Sequence, residues 1–236
     1  IGAEVFHNLK KLLKQAGFQR LVGDEGGFAP NLKSNESALE FIVEAIKGAG
    51  YTPGRDAFCA VDLALSEYYD AKSKTYSLND KTGKQRISAK QVIETMTDWI
   101  RKYPLISIED PLAEDEWNDW KKLTDKLGRK ITIVGDDLFV TNVQRLQQGI
   151  DSGVANAILI KLNQIGSLSE TIDAILLAKK NNYKVSVSHR SGETADTFIA
   201  DLALAVNADF IKTGSLSRSE RVEKYNRLME IEHELK

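Results

Sequence analysis

Six short apolar segments, near residues 57–62, 105–109, 131–135, 156–161, 184–188 and 209–212, recur along the chain, each followed by a stretch with helical periodicity. No other feature restricts the fold as strongly. A short run that stays apolar instead of alternating is buried on both faces, and successive strands separated by a helix run parallel. The expectation is an α/β fold with a parallel sheet covered by helices. Strand-to-strand spacings of about 23 to 48 residues suit repeated βα units of a barrel or of an open doubly wound sheet.

Two helices come first, with Val5, Leu9, Leu12, Leu13 and Ala16 on one face and Ala38, Phe41, Ile42, Ala45 and Ile46 on the other helix's face. Ser88 with Gln91, Ser167 with Glu170 and Ser217 with Glu220 have capping-box spacing and predict helix starts, while Pro104, Gly128 and Gly149 predict stops. The Gly-rich string Gly23-Asp24-Glu25-Gly26-Gly27 follows a helix and is acidic, which argues against a dinucleotide fingerprint.

The 32 Lys and Arg residues nearly balance the 34 Asp and Glu residues, for a net charge of −2, so there is no broad basic field and direct nucleic-acid binding is not expected. Apolar runs reach five residues, as in Ala174 to Ala178, against the roughly 20 of a membrane helix, and a soluble protein is expected. Cys59 is the single cysteine, so no internal disulfide forms, in keeping with a reducing, cytoplasmic setting. The opening Ile1-Gly2-Ala3-Glu4 lies within a helical pattern without an initiator Met, as expected of a fragment.

The strand ends carry the chemistry: Asp62, Glu109, Asp136, Lys161, His189 and Lys212, in that order. In a parallel barrel or sheet these ends converge on one rim, where active sites of this architecture lie. Three carboxylates gathered there repel one another unless a cation joins them, and hard oxygen ligands without His or Cys favour Mg²⁺. Asp62, Glu109 and Asp136 are the candidate ligands. In the strings Glu109-Asp110 and Asp136-Asp137 the second acid is read as capping or orienting, although either member of a pair is chemically able to ligate.

Lys161 stands among apolar residues, where burial, Lys212 and a metal would each favour a neutral amine able to act as a base. Lys212, staying charged, would hold a substrate carboxylate or enolate. The string Ser188-His189-Arg190-Ser191-Gly192-Glu193-Thr194 is read as the start of a helix, where backbone N–H groups and an Arg fork would suit a phosphate. Glu25 lies between small residues that permit close approach of a ligand. His7, the tryptophans and the tyrosines are assigned to packing or surface, and Tyr68 to Arg86, with Thr82-Gly83, to a solvated excursion or hairpin.

Six strings occur in a familiar order: Val22 to Asn31, Ser107 to Pro111, Gly135 to Leu138, Lys161 to Gly166, Ser188 to Thr194 and Lys212 to Gly214. Across essentially the whole chain, 1–236, the sequence resembles the C-terminal catalytic barrel of the enolase family, and Lys212 to Arg221 is similar to bacterial members. The resemblance implies a lyase that interconverts 2-phospho-D-glycerate and phosphoenolpyruvate plus water in glycolysis and gluconeogenesis. It also implies Mg²⁺ on Asp62, Glu109 and Asp136, Lys161 as the base at C2 and Glu25 as the acid at C3. His189 and Lys212 become substrate contacts, and Arg190 and Ser191 phosphate binders. A Lys base with one or two Mg²⁺ ions on the ene-diolate is the general pattern of that superfamily.

The resemblance further implies a (β/α)₈ barrel, here lacking its first two strands and the N-terminal α+β domain. With them would go a histidine, a glutamate and a loop serine of the site, so the 236 residues alone are expected to be poorly active. Family members are homodimers or octamers, and bacterial relatives are also found at the cell surface and in RNA-degradation assemblies. A racemase or cycloisomerase of the same superfamily and a non-catalytic surface or scaffold role are the competing readings.

Overall fold

The structure, a computed structural model, describes residues 1–80 and 83–236. Thr82 of the expected Thr82-Gly83 turn lies outside the described residues. In chain order the elements are α1 (Gly2–Gln15), α2 (Asn35–Gly48), β1 (Cys59–Asp62), a 3₁₀ turn (Leu65–Tyr68), β2 (Tyr69–Asp70), β3 (Thr75–Asp80) and β4 (Gly83–Ile87). There follow α3 (Ala89–Lys102), β5 (Leu105–Glu109), α4 (Trp117–Leu127), β6 (Thr132–Gly135), α5 (Val143–Ser152), β7 (Ala157–Ile160), α6 (Leu162–Ile165), α7 (Leu168–Lys180), β8 (Lys184–Ser188), α8 (Phe198–Ala205), β9 (Phe210–Lys212) and α9 (Ser219–Glu234).

The six expected strands form one sheet in the order β1-β5-β6-β7-β8-β9, with every pair parallel. The sheet curls into an arc of βα units, so that Lys212 on the last strand reaches Asp62 on the first at 2.8 Å. This is part of the wall of an α/β barrel. β6 and β7 are buried along their whole length, as a sheet covered on both sides requires. Ile133, Ile158, Ile160, Val185 and Val187 are almost fully withdrawn from water, and burying each side chain stabilises the fold by about 1.5–3 kcal/mol. The expectation of two buried faces fails at the ends of the arc: Ala60 and Asp62 of β1 are exposed and β9 is only half-buried, because each has a strand partner on one side only.

Local signals hold in part. The Ser88 box is complete, with the Gln91 side chain accepting from the Ser88 N–H and the Ser88 hydroxyl oxygen accepting from the Gln91 N–H. Ser167 caps α7, but Glu170 accepts its hydroxyl and not its backbone N–H. Ser217 does not cap α9. That helix begins at Ser219, and the Ser217 hydroxyl instead donates to the Gly26 carbonyl at 2.8 Å, tying a distant loop to the helix entry. Nor does Gly149 stop α5, which runs on to Ser152 and ends on Gly153 at φ 63°. Gly149 is inside the helix for a packing reason: a Cβ there would lie 2.4 Å from the ring of Phe139.

The segment from Tyr68 to Arg86 contributes to a second, antiparallel sheet, β2-β3-β4. It is more than a solvated hairpin, since Tyr76 is fully buried and its hydroxyl accepts the Ala113 N–H at 3.0 Å. Trp99 and Trp120 are core residues, whereas His7 is exposed against Phe6. Among the described residues, no helix is long and apolar enough to cross a membrane.

Candidate active site

Strand register puts the expected residues on one rim. Asp62 pairs with Glu109 across β1 and β5, and Ser188 pairs with Lys212 across β8 and β9. Asp136 follows the last residue of β6, and Lys161 the last of β7. Lys212 Nζ donates to Asp62 Oδ2 and to Glu109 Oε1, each at 2.8 Å, so those two carboxylate oxygens lie no more than two hydrogen-bond lengths apart. Lys161 Nζ donates to Asp136 Oδ2 at 2.5 Å.

Glu109 and Asp136 are buried, and Asp62 is the exposed member of the three. Burial pushes the Glu109 carboxyl up to about 8, with the charge of Lys212 pulling the other way and those of Asp62 and Asp136 adding to the rise. Burial alone would lower Lys212, but the adjacent Glu109 and Asp62 outweigh it and hold its ammonium above the ordinary lysine value.

Asp110 organises the turn that carries its acidic neighbours. Its two carboxylate oxygens accept the backbone N–H groups of Asp136 at 2.9 Å and Asp137 at 2.7 Å, and its backbone holds a left-handed φ of 40°. Oxygen atoms of Asp110, Asp136 and Asp137 do lie within 4.8 Å of one another. One lone pair on each Asp110 oxygen is engaged in the turn that aims Asp136. Asp136 Oδ1, by contrast, is buried with no hydrogen-bond partner. A buried carboxylate oxygen without a donor is costly unless a cation satisfies it. Of the three expected ligands only Asp136 belongs, among the described residues, to that cluster; its unpartnered Oδ1 beside the Asp110 and Asp137 oxygens fits a hard divalent ion, whereas Asp62 and Glu109 share the Lys212 ammonium.

The other half of the site is built by two loops. The Glu25 loop closes with the Val22 and Phe28 bridge and is fastened by the Ser215 N–H on the Glu25 carbonyl at 2.8 Å. Gly26, at φ 78°, is required there, because a Cβ would sit 2.3 Å from the Ser217 carbonyl oxygen. The Glu25 carboxylate accepts the Ser191 hydroxyl at 3.1 Å and lies 3.4 Å from His189 Nε2. Its pKa falls to about 2, chiefly through the His189 ring with Ser191 and the charge of Lys212 assisting, and against the burial that would raise it.

The residues after β8 do not begin a helix as expected. α8 starts only at Phe198, and 189–197 form an irregular loop, so no helix dipole supports an anion at Ser191. What holds the loop is side-chain chemistry. Arg190 Nη1 donates to Asn163 Oδ1 at 2.7 Å, and its backbone N–H donates to Glu193 at 3.2 Å. Beside it opens a cavity of about 440 Å³ lined by Asn163, Ser188, Gly192 and Thr194. Two buried cations on α9 complete the support: Arg221 under His189 and the Asp24, Arg190 and Ser191 carbonyls, and Lys224 on Glu193 and the Thr194 carbonyl.

Lys212 links Asp62 and Glu109 to His189, whose N–H its carbonyl accepts, and its charge reaches Glu25, which holds Ser191; Asp136 with Lys161 stands at the ends of β6 and β7 on the same rim, and Arg190 is held by Asn163. Arg221, Lys224, Asn163 and Thr141 are the ones that sequence reasoning missed. Thr141, whose hydroxyl oxygen accepts the Lys161 backbone N–H at 2.9 Å, gives no signal of its own in the chain. Across residues 1–236 the chain matches the family model described as the enolase, C-terminal TIM barrel domain.

Proposed function

The chain belongs to the enolase C-terminal TIM barrel family, and from that premise we propose that it serves the reversible dehydration of 2-phospho-D-glycerate to phosphoenolpyruvate and water. The observation that carries this reading is the pairing of an acidic half-site, with buried Asp136 Oδ1 lacking a partner, against an anion-binding half-site of His189, Arg190 and Ser191. One half suits a metal-held carboxylate and the other a phosphate.

Asp62, Glu109 and Asp136 would hold Mg²⁺, which when bound supplies positive charge against the dianion that forms on the substrate carboxylate. Lys161, in its neutral form, takes the proton from C2 on its amine lone pair and becomes the ammonium that pairs with Asp136 in the free protein. Lys212, whose ammonium is held above its ordinary pKa, stays charged and pairs with the substrate carboxylate as its oxygens gain charge. Across the site, the C3–O bond breaks while the C2–C3 double bond forms, and Glu25 assists the departing hydroxide with a proton.

At about 2, the Glu25 carboxyl of the free protein carries no proton at neutral pH. An anionic phosphate arriving at Ser191 and Arg190 takes the Ser191 hydroxyl away from Glu25 and adds a like charge, and both changes raise the pKa again. Arg190 binds that phosphate with its fork, which Asn163 already orients.

The test uses the full-length protein with 2-phosphoglycerate and Mg²⁺, following absorbance of the enol product. Turnover that falls by about 10²–10⁴ in Lys161→Ala, together with a raised KM in Arg190→Gln, is expected. Turnover of a phosphate-free carboxylate with none of 2-phosphoglycerate would overturn the reading in favour of a racemase or cycloisomerase.

A further inference from the structure

Arg221 is 1% exposed, yet its four donated hydrogen bonds go only to neutral acceptors: His189 Nδ1 at 2.6 Å and the carbonyls of Arg190 at 2.7 Å, Asp24 at 3.0 Å and Ser191 at 2.7 Å. A buried guanidinium without a carboxylate on its fork is an expensive way to stabilise a helix entry. Its acceptors belong to the two loops that present Glu25 and Ser191. Gly214 makes room for it, since a Cβ at that position would lie 2.7 Å from Arg221 Cδ and 2.8 Å from the Glu25 carbonyl oxygen.

Guanidinium nitrogens in proteins donate and never accept. An Nη1–H aimed at Nδ1 at 2.6 Å therefore requires a lone pair on Nδ1, which places the single ring proton of His189 on Nε2. Nε2 is the ring atom that faces the site: it is buried, lies 3.4 Å from Glu25 Oε2 and has no hydrogen-bond partner of its own. The other tautomer would set two donors against each other across Arg221 and turn a bare lone pair toward the carboxylate.

We propose that Arg221 is a positioning residue that fixes His189 as the Nε2–H tautomer and holds the Glu25 and Ser191 loops at one spacing, so that the site presents a donor where substrate arrives. It touches the site only through other groups. Its buried charge also leaves the carbonyls of Asp24, Arg190 and Ser191 bound from beneath, with the other faces of those loops free for an anion. Only the consequence for turnover rests on the function proposed above; the tautomer itself does not.

The 236 residues hold three histidines, and the His189 signals are identified as those lost in a His189→Gln variant. Nitrogen-15 NMR of the protein without substrate should show Nδ1 of His189 as an unprotonated, pyridine-like nitrogen and Nε2 as a protonated, pyrrole-like one. Arg221→Met removes every donor and orphans the Arg190 carbonyl, which then attracts a proton on Nδ1; the Nδ1–H form should appear as a major population. Arg221→Lys keeps a charged donor and should retain more of the Nε2–H form than the Met variant. A proton on Nδ1 in the parent protein would overturn the proposal even if neither variant folds. So would an unchanged tautomer in a folded Arg221→Met protein. On the proposed reaction, Arg221→Met should also raise KM for 2-phosphoglycerate at least tenfold; a shifted tautomer with unchanged KM would uphold the tautomer assignment and count against the reaction.

Discussion

Phe139 is fully buried between two glycines, and this arrangement predicts that a single methyl group added to Gly149 unsettles both the barrel wall and Asp136. A Cβ at Gly149 would meet the ring at 2.4 and 2.7 Å, and one at Gly135 would meet its opposite edge at 2.6 and 2.8 Å. The ring has no free side to move toward. Overpacking of this kind costs about 1–3 kcal/mol, and the upper half of that range applies because the ring is hemmed in. Against it, Ala in place of Gly inside α5 recovers up to about 1 kcal/mol of helix propensity. The net loss for Gly149→Ala is then about 1–2 kcal/mol, or roughly 2–8 °C in Tm for a chain of this size.

The strain also reaches the rim. The backbone N–H groups of Phe139 and Val140 donate to the Asp136 carbonyl at 3.1 and 2.7 Å, so a shifted ring turns the acid at the head of that turn. Urea unfolding gives the stability, and calorimetric titration with Mg²⁺, which should bind several-fold more weakly, gives the effect on the site. Repeating Gly149→Ala in a Phe139→Leu background provides the control: with the ring gone, only the helix gain remains and the substitution should become neutral or stabilising. A penalty that persists unchanged without the ring, or a Gly149→Ala protein as stable as its parent, would refute the reasoning.

Burial pushes Asp110 up to about 7 against its two backbone donors, and Glu109 to about 8 against Lys212. The native state thus keeps protons that the unfolded chain loses above about pH 4, so metal-free stability should fall as pH rises from 5 to 8; a urea midpoint that climbs across that window would contradict this. Burial alone raises the Cys59 thiol to about 11, so a thiol-reactive dye should label native protein only at the rate of unfolding, and fast labelling in buffer would disprove it. Lys224→Met leaves Glu193 without its 2.8 Å partner and should cost about 3–5 kcal/mol by urea unfolding, with Glu193→Gln added to it restoring part of the loss. Asp110→Ala removes the acceptor from two backbone N–H groups and should weaken Mg²⁺ binding while leaving the far side of the site, read by 2-phosphoglycerate protection of the Ser188 to Thr194 loop, intact.

The six strands, their parallel direction and the convergence of Asp62, Glu109, Asp136, Lys161, His189 and Lys212 on one rim were legible in the chain, because period and spacing are local properties and a parallel sheet has only one carboxyl edge; the sequential strand order was implied only by the family resemblance. Ser217, Gly149 and the Ser188 to Thr194 string misled for a shared reason. Each carries the local signature of a helix end, and each is held instead by something far away: Gly26, Phe139 and the α9 cations. Local propensities of about 1 kcal/mol give way when a distant group offers a buried hydrogen bond or excludes a methyl group. Arg221 is the extreme case, one of 32 basic residues until the fold seals it beneath two loops and spreads its donors over four acceptors. Which residue types meet was written along the chain; how each is oriented, and which proton sits where, was decided only by contacts between residues that are up to 197 positions apart.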